Sequence, residues 1–100
     1  MTSEENNTYN DFKAIVTVVG MDKPGIVAAI STVLANYKIN IRDISQSFTQ
    51  EFFTMLLIVD FSLSRASLKK VATELDEVGK EIGLSIQVLH EDVFKTMHRI

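Results

Sequence analysis

The sequence predicts an α+β sandwich with the order β-α-β-β-α-β, followed by a short terminal helix. Three observations carry this expectation. Lys13 to Val19 (KAIVTVV) and Phe52 to Phe61 (FFTMLLIVDF) are short, apolar and rich in β-branched or aromatic residues, as buried strands are. Gly25 to Tyr37 and about Arg65 to Ile82 repeat their apolar residues at helical spacing. Glycine, the single proline and polar clusters fall between these segments.

The first strand is apolar on both faces, which places it centrally in a sheet. Pro24 suits the entry to the first helix, where no N–H is missed. Ile26, Ile30, Val33, Leu34 and Tyr37 then form one stripe, with Asn36 and Lys38 at the polar end. Ile39 to Phe48 (INIRDISQSF) is more polar and reads as an edge strand with one wet face. Ile39 and Ile41 share a face, but Ile44 breaks the period of two, so a bulge is expected near Arg42–Asp43. Thr49 to Glu51 turns the chain into the second apolar strand, also central by composition.

Ser62 to Ser64 reads as a loop with Ser64 as the N-cap of the second helix. That helix carries Leu68, Val71, Ala72, Leu75, Val78 and Ile82 on one stripe, and Gly83 stands where a C-cap glycine belongs. Gly79 weakens the helix by up to about 1 kcal/mol relative to alanine, which points to a close packing contact. Leu84, Ile86 and Val88 alternate with Ser85 and Gln87 in the last strand. The ending EDVFKTMHRI reads as a short helix with Val93, Phe94, Met97 and Ile100 apolar. Glu91 and Asp92 in its first turn and Arg99 in its last suit the helix dipole.

This order is the ferredoxin-like arrangement. Right-handed crossovers put both helices on one sheet face, and the two most apolar strands take the centre of an antiparallel order 4-1-3-2. The other sheet face is apolar too. A second copy of the chain, or the terminal helix, is expected to cover it.

Residues 1–11 read as a disordered polar tail and 12–100 as one domain. A net charge of −3 argues against a non-specific nucleic-acid binder. The chain has no cysteine, which excludes disulfides, thiolate catalysis and cysteine-ligated metals. No apolar run approaches the roughly 20 residues of a membrane span, and the start lacks a secretory leader, so a soluble cytoplasmic protein is expected. His90 and His98 match no zinc spacing, and no nucleophile–base pattern is visible. Catalytic residues, metals and cofactors are therefore not expected.

The turn Gly20-Met21-Asp22-Lys23-Pro24-Gly25 has the glycine spacing that opens a phosphate loop, but Ile26 and Val27 stand where that loop needs Lys and Ser or Thr. The G-x-G-x-x-G pattern is absent as well. A helix N-terminus kept bare by glycines accepts carboxylates or phosphates. Asp22 beside it suits an ammonium, so the pair suits a zwitterion. The same residues also fit a plain strand-to-helix turn in which Asp22 caps the helix. Asn40 to Asp43 (NIRD) is a second polar cluster that, alone, fits turn chemistry equally well.

Together, VVGMDKPGIVAAIS at the first strand–helix junction, NIRDISQ in the second strand and EDVFKTMHRI at the end resemble the ACT domain. The ending is similar to that of small, freestanding single-ACT-domain proteins of bacteria and archaea. The likeness runs from about Lys13 to Ile100. It implies a regulatory, non-enzymatic module that binds a small ligand, most often an amino acid, at a dimer interface. By position it implies Gly20, Asp22, Gly25, Ile26 and Val27 from one chain and Asn40, Ile41 and Asp43 from its neighbour. ACT domains are usually joined to an enzyme or a DNA-binding domain, so output here would pass through a separate protein or through assembly.

Three rivals stand beside this reading. A pure interaction module would leave the site empty. An acylphosphatase-like hydrolase needs an arginine where Met21, Asp22 and Lys23 stand. An RNA-binding sheet needs aromatics on its central strands; Phe52 and Phe53 offer some, but the first strand has none.

Overall fold

The computed structural model describes residues 11–97. The expected tail up to Asn10, the side chain of Met97 and the terminal-helix positions Arg99 and Ile100 lie outside the described residues. The elements are β1 (Lys13–Met21), α1 (Ile26–Asn36), β2 (Asn40–Thr49), β3 (Phe52–Asp60), α2 (Leu68–Ile82), β4 (Leu84–His90) and α3 (Glu91–Met97). The four strands pair antiparallel in the order β2-β3-β1-β4, which is 4-1-3-2 read from the other edge.

The α1 and α2 helices cover one face. Ala14, Val16 and Val18 from β1 and Met55, Leu57 and Val59 from β3 are wholly buried there, against Ile30, Leu34, Val71 and Leu75 from the helices. Truncating Met55, Leu57, Ile30, Leu34 or Leu75 to alanine costs about 2–5 kcal/mol. The expected bulge lies between Ile41 and Asp43, where the β2–β3 register shifts. It reverses the phase of β2, so Ile44 faces Leu57 on the helix side rather than turning away.

Gly79 is buried, and an added Cβ would come 2.6 Å from the Leu84 carbonyl oxygen, which is the close contact its position implied. Gly83 ends α2 in the left-handed region at φ 79. The start of α2 differs from expectation. Ser67, not Ser64, is the N-cap, and its Oγ accepts from the Lys70 N–H at 3.1 Å. Ser64 is buried upstream, where its Oγ accepts from the Ala66 N–H at 3.1 Å and closes a local turn. Arg65 and Ala66 therefore precede the helix.

The helix-free face is closed at one end only. There α3 packs against β1 and β4, and Ile15 is 5% exposed. At the other end Val19, Met21 and Phe52 are 45%, 43% and 53% exposed. Among the described residues no helix is long and apolar enough to cross a membrane, and no cluster of three or more His, Asp or Glu could hold a metal.

Candidate functional site at the first strand–helix junction

Gly25 is the N-cap of α1 and lies at φ 85, ψ 2. A Cβ there would meet nothing within 4 Å, so the backbone conformation, not packing, calls for glycine. Gly25 offers no side-chain acceptor, and α1 has neither a side-chain capping bond nor an acidic residue in its first turn. The leading N–H groups of α1 thus stand at a partly positive helix end that the protein does not neutralise locally.

Asp22 does not cap the helix. Its N–H donates to the Glu51 carbonyl at 3.2 Å, tying the turn to the β2–β3 hairpin. Its exposed carboxylate has no hydrogen bond or ion pair among the described residues. Lys23 points elsewhere: its Nζ donates to the Ile82 carbonyl at 2.8 Å, at the partly negative end of α2. Pro24 precedes the N-cap rather than lying in the first turn. Gly20 has a packing reason, since a Cβ there would come 2.5 Å from Leu84 Cδ2. Of the two bracketing glycines, only Gly25 leaves the helix end open.

A hollow of about 320 Å³ lies over the junction. Asp22, Gly25, Ile26 and Val27 line it from the turn, and Gln46, Phe48 and Phe53 line it from the sheet. The Phe48 and Phe53 rings meet at 5.3 Å, tilted by 56°, while Phe48 remains 59% exposed. Gln46 and Phe48 were not apparent from the sequence. The broken period at Ile44 was the available signal: carried two and four residues further, the reversed phase puts both on the helix side. A hollow of like size, about 330 Å³, sits at the far end of α1 near Lys38 and Arg65, but no carboxylate lines it.

Asn40, Ile41 and Asp43 lie at the opposite end of the sheet. Asn40 pairs with Asp60 and Ile41 with Val59, whereas Phe48 pairs with Phe53, beside Gly20. Eight residues of strand separate Asn40 from Phe48, roughly 26 Å. Within one chain the two halves of the expected site do not meet. Asp43 Oδ1 accepts from the Ile44 N–H at 2.9 Å, which shapes the bulge. Neighbouring Arg42 helps, with Lys13, to hold the Asp60 carboxyl below the usual carboxylate range; the larger cause is the Ser62 N–H donated to it.

The fold and the junction define a class, a ferredoxin-like sandwich whose first strand–helix turn is open. The comparisons with known proteins narrow it. The family model described as the ACT domain matches residues 13–89. A UPF0237 protein of Clostridium acetobutylicum is 53% identical over 88 residues, covering 88% of this chain and 99% of its own. The solved ACT domain protein from Streptococcus pneumoniae superposes with a TM-score of 0.74 at 38% identity, over 85% of this chain and 96% of that one. The regulatory subunit of aspartate kinase from Thermus thermophilus, in its ligand-free form, shares the fold with a TM-score of 0.61 at 23% identity, over 80% of this chain and 52% of that one. The chain belongs to the ACT-domain family, a regulatory fold.

Proposed function

We propose that the protein is a cytoplasmic, non-enzymatic regulator that binds an amino acid at the β1–α1 junction, in a site completed by a second copy. The observation that carries this is the open N-terminus of α1 with a carboxylate at its rim, Asp22, that has no partner among the described residues. The helix end suits the ligand carboxylate and Asp22 its ammonium. Val27 and Phe48 offer an apolar wall for the side chain.

The second copy enters along β2. This strand is an edge, and none of its residues is buried along its ten positions. Two β2 edges pairing antiparallel would set Asn40, Ile41 and Asp43 of one chain beside Gln46 and Phe48 of the other. That is the juxtaposition one chain cannot make. Occupancy would then favour the paired state, which is how binding can become a signal.

Calorimetry against the twenty amino acids tests the reading, with Asp22→Ala and Gly25→Ala beside the wild type. The expected result is one class of amino acid bound, with at least tenfold weaker binding in both variants. Absence of binding by the wild type, or unchanged affinity in both variants, contradicts it.

A further inference from the structure

We infer that the hollow between the end of α1 and the β3–α2 connection is a second binding site, for a small phosphorylated molecule, held by Lys38 and Arg65. Asn36, Tyr37, Lys38, Leu63, Arg65 and Ala66 line it, around a volume of about 330 Å³. That is within the size range of small-molecule pockets. It lies at the opposite end of α1 from Gly25, and it does not depend on the amino-acid reading.

The sequence places positive charge here against local preference. α1 ends at Asn36, and the chain then turns through Lys38 at φ 60. This left-handed position favours glycine or asparagine, and lysine is uncommon there. A lysine just after a helix usually serves the last carbonyls. Those of Leu34 and Ala35 already accept from the Tyr37, Lys38 and Ile39 N–H groups, at 3.2, 3.0 and 2.9 Å. The Lys38 ammonium makes no hydrogen bond or ion pair among the described residues. Beyond Ser67, Lys69 and Lys70 add positive charge in the first turn of α2, which holds no acid. Glu74 and Glu77 line that neighbouring side, and Glu74 accepts from the Tyr37 hydroxyl. No carboxylate lines the hollow itself.

That charge selects the ligand. Two cations at one hollow match a dianion, and a phosphate monoester carries about −1.5 to −2 at neutral pH. A single carboxylate would answer only one of them. The Arg65 guanidinium has the fork geometry for two phosphate oxygens, and the Lys38 ammonium suits a third. The Asn36 amide and the exposed Leu63 side chain are left for the organic part of the ligand. Arg65 also takes part in contacts within the fold, so Lys38 carries the test.

Two-dimensional amide NMR of the full chain, titrated with inorganic phosphate at neutral pH and constant ionic strength, tests it. The expected result is saturable shifts of the Lys38, Arg65 and Ala66 amides that acetate does not reproduce. Lys38→Gly removes the cation and suits the left-handed φ. It should melt no lower than the wild type while binding phosphate at least fivefold more weakly. Lys80→Gln, in the last turn of α2, is the control and should bind like the wild type. If Lys38→Gly melts lower, Lys38→Asn, neutral and tolerant of the same φ, replaces it, and the same comparison of affinities decides. No saturable shift in the wild type, unchanged affinity in the Lys38 variant, or equal shifts from acetate overturns the inference. Amino-acid binding is followed in the same spectra at Gly25 and Val27. Its absence counts against the β1–α1 site alone, and its presence without phosphate binding counts against the Lys38 site alone.

Discussion

The β1–α1 and β3–α2 connections do the same structural job, leading a central strand into a helix over the same sheet face, yet they are finished differently. At β3–α2 the local donors find side-chain acceptors. Ser62 N–H reaches Asp60, Ala66 N–H reaches Ser64, and Lys70 N–H reaches the Ser67 cap. At β1–α1 the N-cap is a left-handed glycine without an acceptor, and the helix has no side-chain capping bond. One junction is closed upon itself and the other is open. A capping side chain is worth about 1 kcal/mol, so the open junction forgoes stability that the closed one keeps. The difference is what a binding site at the first junction requires.

Substitutions can break or sharpen that contrast. The largest effect is expected at Gly20, where alanine would drive Cβ into Leu84 and the Gly83 carbonyl. Overpacking of this kind costs about 1–3 kcal/mol, measured by chemical denaturation. Gly25→Ala meets no steric obstacle but holds a left-handed φ, at about 1–2 kcal/mol. Ser67→Ala removes the cap of the closed junction and should cost about 1 kcal/mol without touching ligand affinity. Asp22→Ala should alter stability by less than about 0.5 kcal/mol, because its exposed carboxylate has no partner among the described residues. The two aspartates are thus opposites. Asp60, bonded to Ser62 N–H, has a folded pKa below its unfolded one. Its contribution is present above about pH 4 and lost as pH falls through the lower folded value. Asp60→Asn should flatten that part of the acid-unfolding profile, followed by circular dichroism.

Much of this contrast was written in local sequence pattern. The apolar strands, the helical stripes, the C-cap at Gly83 and the bulge at Arg42 follow from spacing and residue type alone. The cap of α2 did not, because Ser64 and Ser67 are equally good cap chemistry; burial decided between them by turning Ser64 to Ala66. Lys23 gave no hint that it reaches Ile82, a contact made 59 residues away. Gly20 looked like half of a ligand turn, and only the approach of β4 reveals that it makes room for Leu84. Phe48 and Gln46 were recoverable in principle, since the reversed phase after the bulge aims them at the hollow. The remoteness of Asn40 from Gly25 follows from strand register, which a single sequence does not display.

The central claim is that the open junction binds an amino acid through its helix end and Asp22. A melting-shift series of wild type, Ser67→Ala and Asp22→Ala against each amino acid tests it most directly. A bound ligand at 100 times its Kd stabilises a fold by about 2.7 kcal/mol, or more than about 10 °C for a domain of this size. The account predicts that one class of amino acid raises the melting temperature of wild type and Ser67→Ala equally, and that of Asp22→Ala by about half as much or less. No shift in the wild type, or the same shift in Asp22→Ala, would contradict it.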